Sequence, residues 1–351
     1  MNYSTIVKRI AEQLCVSPTT VMRALSRTGF VKKATQDAII RLAIEQFPEY
    51  KSLIHSKKKC KNVTVIMPQK PSFFWDRALS GARDALKEYE SEALCLHSLF
   101  YSYEKTEEEF LAMIEHLRGT ELDALAVVVP HTAQVKKVLN NLSQEIPVAL
   151  FNEYGDYENC FVTVYGDGYE EGAASASLLS RCSLKSKRIL VIRDITTGSR
   201  LQQDRLDGFL EAIKDKKGCH VVDCLDIEGA VDNVCNYHTT RAAIYAREIS
   251  SYLERHSRSF NCIQIMDGML YPLQNALVKL KMSGDAYCFG YDASESAKRC
   301  YDKGLKGGYV NSDIYGQAKM AVKALAEKLV YDRTLFELGW HITGYETCLF
   351  D

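Results

Sequence analysis

Hydrophobic residues in the first fifty positions recur with the period of an α-helix. Ile6, Ile10 and Leu14 lie four residues apart, so they share one face of a first helix. A second helix is predicted to begin after Ser17, a residue type that caps helix N-termini well. A third apolar face extends over residues 35–47. The N-terminal segment is therefore predicted to form three short helices.

Short apolar runs alternate with amphipathic stretches from Asn62 onward. The runs that predict β-strands are 63–67, 93–99, 122–129, 148–151, 161–164, 188–192, 219–225, 261–266 and 286–291. The helices predicted between them are 76–90, 105–118, 168–181, 203–216, 239–256 and 270–281. Strands that alternate with helices form parallel sheets covered on both faces. Because the alternation comes in two successive series, we predict an α/β fold of two doubly wound lobes with a cleft between them.

Composition narrows the class of protein. The chain has 351 residues, of which 46% are hydrophobic and 25% charged, as in ordinary globular proteins. No apolar run approaches the ~20 residues of a membrane helix, and the N-terminus resembles no secretory signal, so a cytoplasmic location is expected. The twelve cysteines form no C-x-x-C pair, and we expect them to be reduced thiols.

The charge is distributed unevenly along the chain. Residues 1–61 contain 12 Lys and Arg against 4 Asp and Glu, whereas the remainder contains 32 against 41. A basic N-terminal segment on a mildly acidic body suggests a polyanionic partner, although a solvated basic surface gives the same balance. Charge alone does not decide between these two interpretations.

The helix pattern favours DNA as the partner. Three short helices with a tight turn between the first two form a helix-turn-helix unit, whose second helix enters the major groove. Arg23 is predicted to face outward on that helix, where an arginine donates two hydrogen bonds to guanine. The alternative is a small helical bundle with a purely structural role.

The stretch TIVKRIAEQLCVSPTTVMRAL resembles the DNA-binding head of the LacI/GalR family of bacterial transcription regulators. The positions that match the family pattern are Thr5, Ile6, Ile10, Ala11, Val16, Ser17, Thr20, Val21, Arg23 and Leu25. Cys15 replaces the usual turn glycine, and Met22 replaces a serine. The resemblance implies DNA contacts by Thr5, Ser17, Pro18, Thr19, Thr20 and Arg23.

The linker departs from that family. The family's hinge helix inserts a leucine into the minor groove, but residues 47–61 read FPEYKSLIHSKKKCK and lack the hinge motif. Lys57, Lys58 and Lys59 are candidate phosphate contacts, with simple solvation as an equal alternative. We predict a DNA-binding domain at 1–48, a basic linker at 49–61 and a sensor domain at 62–351. The lobes are predicted at about 62–165 plus 291–320, and 166–290 plus the C-terminal segment.

The body resembles the periplasmic-binding-protein-like sensor domain of the same family. Gly172, Arg205, Gly208 and Asp292 stand in the segments that carry this resemblance. Ligands of such folds bind between the lobes at the carboxyl ends of the strands. The residues predicted to contact the ligand are Phe73, Phe74, Trp75, His131, Gln203, Arg205, Met266, Asp292 and Ser312. For Asp267, helix capping is favoured over ligand contact.

These patterns predict a homodimeric, ligand-responsive regulator that binds operator DNA and a carbohydrate effector. No nucleophile, phosphate-loop or dinucleotide motif occurs, so we expect no enzymatic activity, no cofactor and no metal. The alternatives are a small-molecule binding protein for a sugar or nucleoside, and a sugar-modifying enzyme, each without specific DNA binding.

Overall fold

The computed structural model describes residues 3–26, 31–47, 60–69, 72–89, 92–101, 106–118, 122–195, 199–228, 237–256, 259–334 and 339–350. The chain forms two compact units. The first comprises Met1–Asn62 with Tyr89–Cys95, and the second comprises Val63–Glu88 with Leu96–Asp351. No helix of the described chain is long and apolar enough to cross a membrane.

The first unit begins with three helices, α1 (Tyr3–Gln13), α2 (Pro18–Ser26) and α3 (Lys33–Gln46). Ser17 caps α2, because its Oγ accepts a hydrogen bond from the Thr20 N–H at 3.0 Å. Cys15, in the turn before α2, has φ 51°, a left-handed conformation that favours glycine. The helices share one apolar core, formed by Ile6, Val7, Ile10, Ala11, Val21, Ala24, Leu25, Ile39, Ala43 and Phe47.

A disulfide joins Cys60 to Cys95, whose Cα atoms are 6.3 Å apart. The expectation that the cysteines are all reduced thiols is therefore wrong for this pair. Cysteines 35 residues apart in sequence carry no spacing pattern that would reveal such a pairing. The other nine cysteines that the structure describes form no disulfide.

The first lobe of the second unit is built on one sheet with the strand order β11-β5-β4-β3-β1-β2. Its strands are β1 (Lys61–Pro68), β2 (Leu94–Tyr101), β3 (Ala124–Val127), β4 (Val148–Phe151), β5 (Val162–Gly166) and β11 (Gly339–Thr343). Along β1, Val65 packs against α4 (Ser72–Lys87) and α12 (Ile314–Tyr331), while Ile66 packs against the opposite pair of helices. That pair is α5 (Thr106–Arg118) and α6 (Ala133–Leu142). Burial on both faces explains why these strands read as continuous apolar runs.

The second lobe repeats this plan with the order β12-β10-β9-β8-β6-β7. Its strands are β6 (Lys187–Asp194), β7 (Cys219–Ile227), β8 (Cys262–Ile265), β9 (Tyr287–Tyr291), β10 (Gly307–Ser312) and β12 (Tyr345–Phe350). One face is covered by α7 (Gly168–Ser180) and α8 (Arg200–Lys214). The other is covered by α9 (Tyr237–His256), α10 (Leu270–Lys279) and α11 (Glu295–Asp302). The two-lobed α/β fold predicted for the body is confirmed.

The C-terminal boundary between the lobes differs from the prediction. Residues 291–320 do not all belong to the first lobe, because β10 pairs with β9 and β12 in the second sheet. The chain crosses at Asp313, whose Oδ1 accepts the Gly316 N–H at 2.9 Å and caps α12 on the first lobe. After α12 the chain adds β11 to the sheet of the first lobe, and it then crosses to the second lobe, where it forms β12. The chain passes from one lobe to the other within a few residues here, and the strands are too short to leave a periodic pattern in the sequence.

Candidate functional site

A cavity of about 110 Å³ lies between the two lobes. Its size suits a small ligand rather than the drug-sized molecules that fill pockets of roughly 300 Å³ or more. The carboxyl ends of β4, β8 and β9 and the first turns of α4 and α8 supply most of its wall. The lining residues are Phe73, Phe74, Trp75, Asn152, Glu153, Ser199, Leu201, Gln202, Arg205, Asp267, Gly268, Met269 and Asp292.

The first lobe contributes aromatic rings to the cavity. Phe73, Phe74 and Trp75 follow one another in the first turn of α4, where Phe74 and Trp75 meet edge to face with centroids 4.9 Å apart. Trp75 is buried in the core of the lobe, whereas the two phenylalanines are half-buried. Asn152 and Glu153, directly after β4, add polar atoms to the same wall. This wall combines apolar faces with a few hydrogen-bonding groups.

The second lobe contributes a buried ion cluster centred on Arg205. The Arg205 Nε donates to Glu171 Oε2 at 2.8 Å, and one terminal nitrogen donates to Asp292 Oδ2 at 3.2 Å and Ser312 Oγ at 2.8 Å. The Ser312 Oγ in turn donates to Glu171 Oε1 at 2.8 Å. The ring of Tyr291 lies against the guanidinium, 4.1 Å from its Cζ. The cluster therefore holds Arg205 in one orientation.

Burial and neighbouring charges act in opposite directions on the pKa values of Glu171 and Arg205. Burial raises the pKa of Glu171 above its ordinary value, while Arg205 acts to lower that pKa. Burial alone would lower the pKa of Arg205, but the carboxylates of Glu171 and Asp292 raise it, so the guanidinium stays charged. With two carboxylates around one cation, removal of the cation would leave buried charge without compensation.

Two glycines allow the helices that carry the cluster to pack closely. A β carbon at Gly172 of α7 would lie 2.1 Å from the Arg205 carbonyl oxygen. A β carbon at Gly208 of α8 would lie 2.0 Å from the Tyr169 carbonyl oxygen. Neither space admits a side chain, so the glycines bring Arg205 within reach of Glu171.

Polar contacts cross the cleft from one lobe to the other. Glu153 of the first lobe accepts a hydrogen bond from the Ser199 Oγ of the second at 3.0 Å, and His131 Nε2 lies 2.9 Å from the other carboxylate oxygen. The Tyr154 hydroxyl donates to Asp204 of α8. These contacts belong to an arrangement in which the two lobes touch around the cavity.

A family model for a periplasmic binding protein domain matches residues 63–332. The chain belongs to the periplasmic binding protein domain family. A comparison with curated protein sequences gives no match.

Solved structures of this fold resemble the chain at low sequence identity. A carbohydrate transporter solute-binding protein from Agrobacterium radiobacter, in complex with D-arabinose, is 16% identical with a TM-score of 0.69, over 82% of this chain and 94% of that one. The glucose-galactose binding protein GanP from Geobacillus stearothermophilus is 18% identical with a TM-score of 0.69, over 83% and 98%. A putative LacI transcriptional regulator from Bacteroides fragilis is 16% identical with a TM-score of 0.68, over 83% and 97%. These likenesses establish the fold alone.

The periplasmic-binding-protein cleft brings together five of the predicted ligand residues, namely Phe73, Phe74, Trp75, Arg205 and Asp292. Two others do not line the cavity but contact residues that do. His131 contacts Glu153, and Ser312 is buried and accepts a hydrogen bond from Arg205. Asp267 lines the cavity, but its carboxylate also accepts the Met269 N–H ahead of α10 at 2.9 Å and the Tyr245 hydroxyl at 2.5 Å.

The structure does not bring Gln203 and Met266 into the cavity. Gln203 is two residues from Arg205 on α8, which places it about 200° around the helix, and it hydrogen-bonds Asp207 instead. Met266 is fully buried in the apolar core of the second lobe. An alignment with a family places such positions near a site but does not orient their side chains.

Sequence reasoning missed Glu171 and most of the polar lining. Glu171 is fully buried and stands on the inward stripe of α7 with Gly168, Gly172 and Ser175. A carboxylate within an otherwise apolar or small-residue stripe is the feature that would have marked it. The other lining residues that were missed are Asn152, Glu153, Ser199, Leu201, Gln202, Gly268 and Met269.

The residues predicted to contact DNA lie on or beside α1 and α2. Thr5, Ser17, Pro18, Thr19 and Arg23 are exposed, whereas Thr20 is half-buried, and its hydroxyl hydrogen-bonds Ser17 at 2.8 Å. Lys57, Lys58 and Lys59 lie outside the described residues.

Proposed function

We propose that this protein is a ligand-responsive, DNA-binding transcription regulator of the cytoplasm. Its cleft binds a small molecule, a sugar or sugar derivative, and binding changes operator affinity. The observation that carries the proposal is the exposed surface of α2, with Pro18, Thr19 and Arg23, on the same chain as a periplasmic binding protein domain.

The N-terminal helices have the chemistry for DNA recognition. The first turn of α2 leaves the Thr19 side chain exposed, and a threonine hydroxyl can hydrogen-bond a phosphate. Arg23 follows one helical turn later. Arginine reads guanine through a bidentate pair of hydrogen bonds. The LacI-like sequence of residues 5–25 and the excess of basic residues before position 62 support the same role.

A homodimer is part of this proposal. A single small head buries too little surface for tight specific binding, whereas two heads match the half-sites of a near-palindromic operator. Lys57, Lys58 and Lys59 would then contact phosphates between the half-sites, in place of the missing hinge motif.

The cleft has the chemistry for a polyhydroxylated ligand. Aromatic faces on one wall pack against the apolar face of a sugar ring, while Asn152, Gln202 and Asp292 offer donors and acceptors for hydroxyls. Solute-binding proteins of the same fold are described with D-arabinose and with myo-inositol. The described residues that line the cleft form no recognisable catalytic constellation, and we propose binding without turnover.

Ligand binding would act through the contacts between the lobes. A ligand held by both walls favours the arrangement in which Glu153 meets Ser199 and Tyr154 meets Asp204. A difference in ligand affinity between two lobe arrangements is what shifts operator affinity.

DNA binding is tested by selecting duplexes from a random pool with the full chain and measuring affinity by fluorescence anisotropy. We expect one enriched near-palindromic sequence, and Arg23→Ala to cost about 1–3 kcal/mol on it. Arg41→Ala, an exposed arginine on α3, is the matched control and should cost less. Enrichment of no sequence would contradict the proposal.

The second candidate is a sugar-binding protein without specific DNA binding. It is favoured by the structural neighbours, several of which are transport solute-binding proteins. The same selection separates the two candidates, because this alternative predicts sugar affinity with no enriched duplex.

A further inference from the structure

The cavity between the lobes is lined by more acidic than basic groups. Glu153, Asp267 and Asp292 stand in its wall, whereas Arg205 is the single cation among the described residues that line it. Arg205 already donates to Glu171 at 2.8 Å and to Asp292 at 3.2 Å. Its positive charge is therefore opposed by two carboxylates before any ligand enters.

The acidic excess does not depend on the two groups next to the cavity that could change it. His131 lies 2.9 Å from Glu153 and would add a positive charge if it were protonated. Burial raises the pKa of Glu171, and protonation of Glu171 would remove a negative charge. With both groups protonated, the three carboxylates of the wall still outnumber Arg205 and His131. The wall is therefore acidic in each of these states.

Two further arginines beside the cleft do not reverse this balance. Arg193 donates to Asp226 at 2.8 Å. The Arg200 guanidinium lies over the ring of Tyr154, 5.3 Å from its centroid, and the Tyr154 hydroxyl donates to Asp204. Both arginines line a neighbouring cavity of the second lobe. Each one therefore has an acidic residue in its own surroundings.

The rest of the wall suits a cation that also carries hydroxyls. The half-buried rings of Phe73 and Phe74 line the cavity, and aromatic faces attract ammonium groups. Asn152 and Gln202 offer hydrogen bonds to neutral hydroxyls. In the part of the chain that the structure describes, the carboxylates do not form a group that could hold a metal ion. An organic cation fits this wall.

We infer that the ligand of the cleft is an amino sugar, whose protonated amine binds among Glu153, Asp267 and Asp292 while the aromatic rings pack against its apolar face. This inference rests on the proposed sugar binding and names the class of sugar. Carboxylates form charge-assisted hydrogen bonds with an ammonium group. A carboxylate offers about four acceptor positions, and Glu153 uses two of them, for Ser199 and His131.

The test compares sugars that differ in one group. The full chain is titrated by calorimetry at about pH 7, where such amines are mostly protonated. The pairs are D-glucosamine and D-glucose, D-galactosamine and D-galactose, and D-mannosamine and D-mannose. Within a pair an ammonium group replaces a hydroxyl of similar size. We expect the amine to bind roughly tenfold or more tightly than its parent in at least one pair, and D-glucuronate to bind more weakly than D-glucose.

Two charge-removing variants locate the source of this preference. Glu153→Gln and Asp267→Asn each neutralise one carboxylate with little change of shape. Each should reduce the advantage of the amine over its parent by roughly threefold or more, with a smaller effect on the parent. Glu158→Gln is the matched control, because this exposed carboxylate also lies between β4 and β5 but outside the cavity. Its preference should equal that of the wild type.

Each outcome decides a separate question. If the parent sugars bind as tightly as the amines in every pair, or if both variants weaken amine and parent equally, the amino-sugar inference is overturned and the proposed sugar binding stands. If neither amines nor parents bind, the sugar-binding part of the proposed function fails, and the inference fails with it. The duplex selection still decides whether the chain binds DNA.

Discussion

The first lobe presents aromatic rings to the cleft, whereas the second presents an arginine surrounded by carboxylates. The rings of Phe73, Phe74 and Trp75 are consecutive in sequence and stand in one helical turn. The ion cluster of Glu171, Arg205, Asp292 and Ser312 is assembled from four different elements. The comparison indicates that one wall is specified locally, whereas the other depends on the packing of the whole second lobe.

The largest expected effect comes from removal of the cation on the second wall. Arg205→Met leaves the buried carboxylate of Glu171 and the half-buried carboxylate of Asp292 without compensation, so we expect the free energy of unfolding to fall by about 3–5 kcal/mol. Urea unfolding at neutral pH measures this loss. The control is Arg247→Met, an exposed arginine of α9, which should change stability by less than about 0.5 kcal/mol. Equal losses in both variants would refute the description of the cluster.

A second test compares the helix crossings of the two lobes. Gly172→Ala and Gly81→Ala each place a methyl group against backbone, 2.1 Å from the Arg205 carbonyl oxygen and 2.2 Å from that of Tyr315. We expect each to destabilise by about 1–3 kcal/mol in urea unfolding.

Sugar binding should weaken in both variants, each through a different wall. Gly172→Ala disturbs the packing of α7 on α8, which carries Arg205, whereas Gly81→Ala displaces α4, which carries Phe73 and Phe74. Gly284→Ala is the control, since a β carbon there meets nothing within 4 Å. Sugar affinity that is unchanged in both variants, measured by calorimetry, would contradict the assignment of the two walls.

The raised pKa of Glu171 on the second wall predicts how the free energy of unfolding depends on pH. Burial raises the pKa of Glu171 in the folded state, so the stability linked to its protonated form is present below the unfolded pKa and is lost as pH rises through the folded value. Glu171→Gln does not titrate. Wild-type stability minus that of the variant should therefore fall with rising pH, by at most about 1.4 kcal/mol per pH unit.

Urea unfolding between pH 4 and pH 8 measures this difference. Glu170→Gln, at the exposed neighbouring position, should show no such trend. A difference that grows with rising pH would show that Arg205 outweighs burial and that the Glu171 pKa is lowered.

The smallest expected effect on stability comes from the aromatic wall. Phe73→Leu changes a half-buried side chain at the cavity, so we expect less than about 1 kcal/mol on unfolding. Sugar affinity should nevertheless fall by about 0.5–1.5 kcal/mol, since stacking on the ring is lost. Calorimetry with the better ligand of D-arabinose and myo-inositol measures it. Unchanged affinity would exclude Phe73 from the site.

Much of the fold could be predicted, because buried strands and amphipathic helices leave regular patterns. The run 148–151 was predicted with the bounds that β4 has, and α7 was predicted within one residue. β10, β11 and β12 were not predicted as strands, since they are short and their pairing partners lie in other parts of the sequence.

The site was predictable where its chemistry is local or matches a family motif. Phe73, Arg205 and Asp292 were found in this way. Glu153 and Ser199 were not, because their role comes from a contact between lobes that are joined only in the folded chain. Glu171 was missed because its function depends on the close approach of α7 and α8 at Gly172.

The central claim is that the cleft and the DNA-binding head are coupled. Coupling is reciprocal, so an effector that changes operator affinity must have its own affinity changed by the operator to the same extent. Calorimetric titration of the full chain with its best sugar ligand, with and without the selected duplex, measures this factor directly. We expect the two affinities to differ by about fivefold or more. Identical affinities, with the duplex bound throughout, would contradict the account.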